Sequence, residues 1–308
     1  MPAQRKFGMD QDFYQWSPIV SRPPIRWPDN ARVAVAVVVN LEHWDWEVPA
    51  NNPMPVSVLG GPEGLWTGNG RFPDIGGFGN HEYGNRVGFS RVFNVLDKYG
   101  FKPTIAMDKA VADNYPSLVK EGQKRGAEFI AHGLSQRRII HIGMPEAEER
   151  QYIHDSIEAV AKATGKRPMG WSGPDFQESQ NTPNLLGAEG VRYVCDWGND
   201  EQPYKMTPKT GELFSLGINS YLDDNYIHLH GRRTINEVNL LWRDWFDGLY
   251  ADGGKNGRMM VFNIHPWIMG QPWRIRHLDE VLGHISSHAG VWKATGSEII
   301  DSFKAQTK

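Results

Sequence analysis

The run 32-RVAVAVVVN-40 constrains the fold more than any other stretch, because valine or alanine occupies its odd and even positions alike. A strand with one solvated face alternates apolar with polar, so a run that is apolar on both faces predicts a central buried strand. The sequence downstream alternates helices with strands. Residues 86-RVGFSRVFNVLDKYG-100 have helical spacing and a terminal glycine, and 101-FKPTIAM-107 reads as the next strand. A helix opened by proline and closed by glycine, 116-PSLVKEGQKRG-126, precedes the strand 127-AEFIAHG-133. The third helix, 145-PEAEERQYIHDSIEAVAKATG-165, has an acidic first turn suited to its dipole and leads to 167-RPMGWSGPDF-176. Further strands are expected at 191-VRYVCDW-197 and 258-RMMVFNIHP-266, and a last helix at 274-RIRHLDEVLGHISSH-288. Residues of about 48–85 are rich in Gly, Pro and Asn and exceed an ordinary connection, which predicts a functional loop over the mouth of the fold. With no internal repeat, low-complexity tract or linker, residues 1–308 predict a single α/β domain, most economically a (β/α) barrel, with an N-terminal extension over 1–24.

Composition narrows the partners. A formal charge of -3 gives no broad electrostatic reason to bind nucleic acid or an anionic membrane, which leaves a small molecule. The single cysteine, Cys195, cannot form an internal disulfide. The N-terminus has no secretory-type apolar core, and no apolar run approaches the roughly 20 residues needed to cross a bilayer. The expected location is cytoplasmic.

The first strand ends in 37-VVVNLEHWDWE-47, which places Glu42, His43 and Asp45 beside Trp44 and Trp46. Other strand ends deliver His132, then Trp171 and Asp175, then Asp196 and Asp200, then His265. In parallel β/α folds ligands collect at the carboxyl ends of the strands, so these groups should converge. One such histidine alone is more often a hydrogen-bonded core residue, but a structural role would scatter polar groups over both ends of the barrel. His81, His141, His154, His228, His230, His277, His284 and His288 fall outside the pattern and read mostly as solvated or helix-surface residues.

The order of these motifs resembles the polysaccharide deacetylase superfamily, and within it the allantoinase-like and cyclic-imide-hydrolase-like branch. The carriers are VVVNLEHWDWE, AHGLSQ, GWSGPDFQESQNTPNLL and NIHPWIMGQPWR, and the resemblance spans roughly 25–303. It implies a distorted, incomplete (β/α) barrel. In the metal-dependent sugar deacetylases the first motif carries two aspartates, and the second reads His-Ser/Thr-x-x-His. Here Asn40 and Glu42 stand at the acidic positions, and Gln136 stands where the second histidine would be. Asn40 cannot act as a base, and Gln136 is a poor zinc ligand. The resemblance therefore implies hydrolysis of a non-peptide carbon–nitrogen bond in a small cyclic amide, imide or ureide, with no tightly bound cofactor. A weak zinc or manganese ion on Glu42 and His132 is the alternative.

Amide hydrolysis needs a base, an acid and oxyanion donors. Glu42 is the candidate base, with a pKa expected to rise beside indole rings. His265 is the candidate acid, and His132 is the third catalytic candidate, assisting the oxyanion or holding the metal. Asp45, Gln136 and Asp175 are expected to bind substrate, with Trp44, Trp171 and Trp267 as apolar walls. Two other readings are an N-deacetylase acting on an acetylated sugar and a catalytically silent ligand-binding relative. By the same resemblance the chain is expected to be a homo-oligomer, a tetramer before a dimer, with 221-YLDDNYIHLHGRR-233 and 241-LWRDWFDGLY-250 at the interface.

Overall fold

The computed structural model describes residues 11–47 and 75–307. The apolar run forms strand β1 (Val33–Leu41), and every one of its residues is buried. It lies between parallel neighbours. Strand β8 (Arg258–Ile264) pairs along one side, while β2 (Thr104–Met107) and β9 (Val291–Lys293) share the other, at its C-terminal and N-terminal ends respectively. Beyond β2 the sheet continues through β3 (Glu128–Ala131), β4 (Gly170–Trp171), β5 (Tyr193–Val194) and β7 (Leu213–Ser215). Strand β6 (Tyr204–Met206), antiparallel to β7, ends that side. The sheet curls into a half-barrel, the incomplete barrel expected from the sequence.

The two faces of β1 pack differently. Val33, Val35, Val37, Val39 and Leu41 join a layer that includes Phe93 and Leu96 from the helix Phe89–Tyr99. Ala34, Ala36 and Val38 face inward with Ala106, Ile130 and Tyr193. Small residues suit this inner face, since a tightly curled sheet encloses little room. Asn40 and Glu42 follow the same inner register, so at the end of the strand this face changes from packing to chemistry. A slip of one residue would turn both toward the helices, and the alternation therefore fixes the register. On β8, Met259 and Val261 are inner and Asn263 and His265 continue their series, as His132 continues that of Ile130.

Several elements escaped the sequence reading. Strands β6, β7 and β9 have three residues each, too few to show a period. The helix Ile235–Gly253 opens on a capping box between Thr234 and Glu237. It turns Trp242, Phe246 and Leu249 into the core, which corrects their expected place in an exposed interface. Part of the expected loop is also helical. Residues Ile75–Tyr83 form a helix despite three glycines, so packing overrides propensity there, while 48–74 lie outside the described residues. A π-helical turn, Gly84–Gly88, leads into the next helix and lies against the segment after β8. A Cβ on Gly88 would stand 2.0 Å from the Pro266 carbonyl oxygen, so glycine allows this close approach. Among the described residues no helix is long and apolar enough to cross a membrane.

Candidate active site

Glu42 sits at the centre of a buried chain of titratable groups. Its Oε1 lies 3.1 Å from His132 Nε2 and 3.4 Å from His265 Nε2. Both imidazoles are anchored at their other nitrogen. His132 Nδ1 is 2.6 Å from the Ser172 carbonyl oxygen, and His265 Nδ1 is 2.6 Å from Asp224 Oδ1. Asp224 also accepts the backbone N–H of His265, which fixes the ring to the end of β8 from two directions. Glu42 Oε2 is buried without a hydrogen-bond partner, as are Ser172 Oγ and Gln136 Oε1. Buried polar atoms seldom stay unpaired, so these three mark where a bound molecule would complete the site.

Electrostatics sort the proton. Burial alone would raise the Glu42 carboxyl, but the neighbouring His265 and His132 outweigh it and hold the group well below the usual carboxylate range. The rise expected beside indole rings is thus reversed. Burial alone would lower the His265 imidazole, yet the carboxylates of Glu42 and Asp224 hold it well above its ordinary value. Burial pushes Asp224 up to about 6 against the opposing pull of His265. At neutral pH the arrangement is an ionised Glu42 beside a protonated His265, a base and an acid side by side.

The three groups open on a cavity of about 240 Å³. Gln136, Ser172, Asp175, Gln177, Asn225 and Asn263 line it together with Glu42, His132 and His265, and no lysine or arginine does so among the described residues. Asp175 has a positive φ of 56°, a rare conformation for a non-glycine residue and one that clusters at functional sites. Of the expected substrate contacts, the structure brings Gln136 and Asp175 to the cavity and leaves four outside its lining. Trp171 is fully buried and packs on Tyr152, because along a strand it faces opposite to Ser172. Trp44 and Trp267 clasp His81 with ring centroids 4.3 Å away on each side. Asp45 accepts from the Ser135 hydroxyl and lies 3.6 Å from Arg138. Asp196 holds the Gly173 backbone N–H, and Asp200 pairs with Arg22. His81, His228 and His277, expected at the surface, are buried.

The position of Trp171 carries a direct test. Trp171→Ala is expected to cost about 3–5 kcal/mol of stability, as for a buried Trp truncated in a core. A substrate wall would respond differently. A chemical denaturation midpoint unchanged from wild type, together with a raised KM, would return this side chain to the cavity.

Sequence reasoning missed Asp224, Ser172, Asn225 and Asn263. Parity could have found two of them. Ser172 follows the outward Trp171, and Asn263 lies two residues before His265 on the same face. Asn263 also joins a buried line in which Asn40 donates to Asn263 and Asn263 donates to Asp223. Asp224 had no such signal, since it lies in a non-strand segment that only the fold brings to β8.

His132 presents the geometry of a metal-binding imidazole, with Nδ1 on a carbonyl and Nε2 toward Glu42. Among the described residues, Glu42 and His132 gather no third histidine or carboxylate into a common cluster, and Gln136 offers only an amide oxygen. Asp223, Asp224 and His265 do cluster. Their carboxylate oxygens already accept from Asn263, from the backbone of Tyr226 and from His265 itself. Residues that could touch a cation are therefore present, but this donor set does not fit a tight tetrahedral zinc site.

Residues 81–194 match the family described as polysaccharide deacetylase. A Schizosaccharomyces pombe protein, provisionally named a polysaccharide deacetylase, is 29% identical over 91% of this chain and 92% of its own. A Helicobacter pylori peptidoglycan deacetylase is 24% identical over 72% of this chain and 85% of its own. Among solved structures, a crystal structure of PuuE allantoinase superposes with a TM-score of 0.82 at 24% identity, covering 93% of this chain and 95% of that one.

Proposed function

We propose, from the polysaccharide deacetylase domain that residues 81–194 carry, that this chain hydrolyses a carbon–nitrogen bond other than a peptide bond in a small, uncharged cyclic amide, imide or ureide of the allantoin kind. The observation that carries this reading is the Glu42–His265 pair at a cavity of about 240 Å³ lined by amides and hydroxyls. That volume lies below the roughly 300–1,000 Å³ of sites for drug-sized ligands, which favours a single ring over a sugar chain. The lining also pairs carboxamides, which both donate and accept, with the alternating N–H and C=O edges of a ureide.

The chemistry runs on this chain's own groups. Glu42 Oε2, free of partners, takes a proton from a water as its oxygen attacks the ring carbonyl. Ser172 Oγ, also free, donates to the developing oxyanion. The carbon–nitrogen bond then breaks, and His265 Nε2 gives its proton to the departing nitrogen. Glu42, now protonated, faces a neutral His265 across 3.4 Å, and one proton transfer between them restores the starting state. No step needs a tightly held ion.

Carboxylates of Glu42, Asp175 and Asp223 among the lining groups disfavour anionic substrates. The test is a panel of allantoin, hydantoin, a carboxylated hydantoin, a succinimide and N-acetylglucosamine oligomers, run before and after dialysis against a chelator. The expected result is faster turnover of an uncharged ring than of its carboxylated analogue or any oligomer, with most activity surviving dialysis. Faster acetate release from the oligomers would move the assignment to sugar deacetylation, and activity restored only by added zinc or manganese would refute metal independence.

The homo-oligomer expected from the sequence is carried forward on narrower ground. Tyr221, Tyr226 and Leu240 are exposed, and Tyr226 also borders the cavity. Light scattering is expected to give a mass above the 34.9 kDa of one chain, with a monomer across micromolar dilution counting against it.

A further inference from the structure

We propose that Asp247, His284 and His288 form a binding site for one divalent transition ion of the zinc class, on the outer helices and apart from the catalytic cavity. None of the three lines that cavity. Their ligand atoms lie within 4.8 Å of one another, and two separate helices supply them. Asp247 belongs to the helix Ile235–Gly253, while His284 lies in the helix Ile275–Ser286 and His288 follows just beyond its end. The backbone stays helical through Ser287, so the spacing of four puts both imidazoles on one face, with ring centroids 4.8 Å apart.

Three features go beyond proximity. First, His288 Nδ1 lies 2.9 Å from the His284 carbonyl oxygen. That contact makes Nδ1 the donor and leaves Nε2 with the lone pair, which is how protein scaffolds orient a ligating imidazole. Second, the rings are clamped before any ion arrives. Phe246 meets His284 and His288 edge-on at 5.8 and 5.1 Å, and Tyr250 meets His288 at 5.0 Å while its hydroxyl donates to the Ala289 carbonyl. Third, Asp247 Oδ1 already stands 2.7 Å from His284 Nε2. A proton shared there is what an ion would replace, taking both atoms as ligands.

Bond lengths of about 2.0–2.1 Å place the ligands of a tetrahedral ion roughly 3.4 Å apart. With all three ligand atoms within 4.8 Å of one another, the adjustment needed is at most about 1.4 Å. Asp247 is half exposed and free to make that shift. Two imidazoles and a carboxylate suit zinc, nickel or cobalt better than magnesium or calcium, which prefer oxygen. Bound there, the ion would cross-link two helices that pack side by side against the rest of the fold.

The experiment uses the full chain after removal of metals, titrated with zinc by calorimetry and with cobalt by visible absorption. The expected result is one ion per chain, a cobalt spectrum of nitrogen and oxygen ligation, and a Tm raised by a few degrees at hundredfold excess over Kd. His288→Ala and Asp247→Asn should each weaken binding at least tenfold and abolish the Tm shift, with turnover unchanged. Glu42→Gln should leave binding intact. Failure to bind zinc, or binding that persists in both outer-helix variants, overturns the site. Because turnover and zinc binding are read separately, neither result depends on the substrate assignment.

Discussion

Glu42→Gln is expected to lower turnover by about two to four orders of magnitude, the usual scale for removing a general base, while the fold survives. The amide keeps the size of the carboxylate but cannot take a proton from water, and it removes the charge that both histidines face. The substitution also relieves a buried ion pair, so stability will not track activity. The depressed Glu42 pKa contributes stability that is present above its unfolded value of about 4.3 and is lost as pH falls through the lower folded value. The measurement is kcat beside a denaturation curve at pH 7. Wild-type turnover with an intact fold would remove Glu42 from the mechanism.

His265 gives the second large effect, through its protonation state. His265→Ala should cost about the same factor as the loss of Glu42, since the leaving nitrogen then has no donor. Asp224→Asn is the more discriminating change. The imidazole must be protonated to act as the acid, so activity should hold through neutrality and fall as pH rises through its raised folded pKa. Removing the Asp224 charge lowers that pKa, so the alkaline limb of kcat/KM should move to lower pH by roughly one to three units. The same sign governs stability. A raised imidazole contributes stability that is full below its unfolded value near 6.5 and is lost as pH rises through the folded one. An alkaline limb that stays in place in Asp224→Asn would mean that another group controls it.

How much of this was legible in the sequence depends on where each residue sits. The half-barrel was legible because β1 is apolar on both faces and helices with clear stops follow the strands. Glu42, His132 and His265 were legible because each directly follows a strand, where parity and direction carry its position from the chain into space. Trp171 misleads because a place at a strand end does not by itself give the face, and its parity turns it onto Tyr152 in the helix layer. The sign of the Glu42 shift was hidden for another reason. It depends on two histidines 90 and 223 positions away, whose charge at that point no local pattern reports. Asp224 was hidden in the same way, as a partner of His265 brought from a separate segment.

The alternation along β1 has a consequence for how such a chain diverges. Ala34, Ala36 and Val38 fill the interior, and of the two positions after them Asn40 props the cavity-lining Asn263 while Glu42 lines the cavity itself. A lineage can therefore exchange the residues at the rim, and with them the reaction, without opening a void in the layers beneath. Selection on chemistry and selection on folding act on different residues of a single strand. Barrels related by descent can thus keep a common backbone after their rims have ceased to resemble one another.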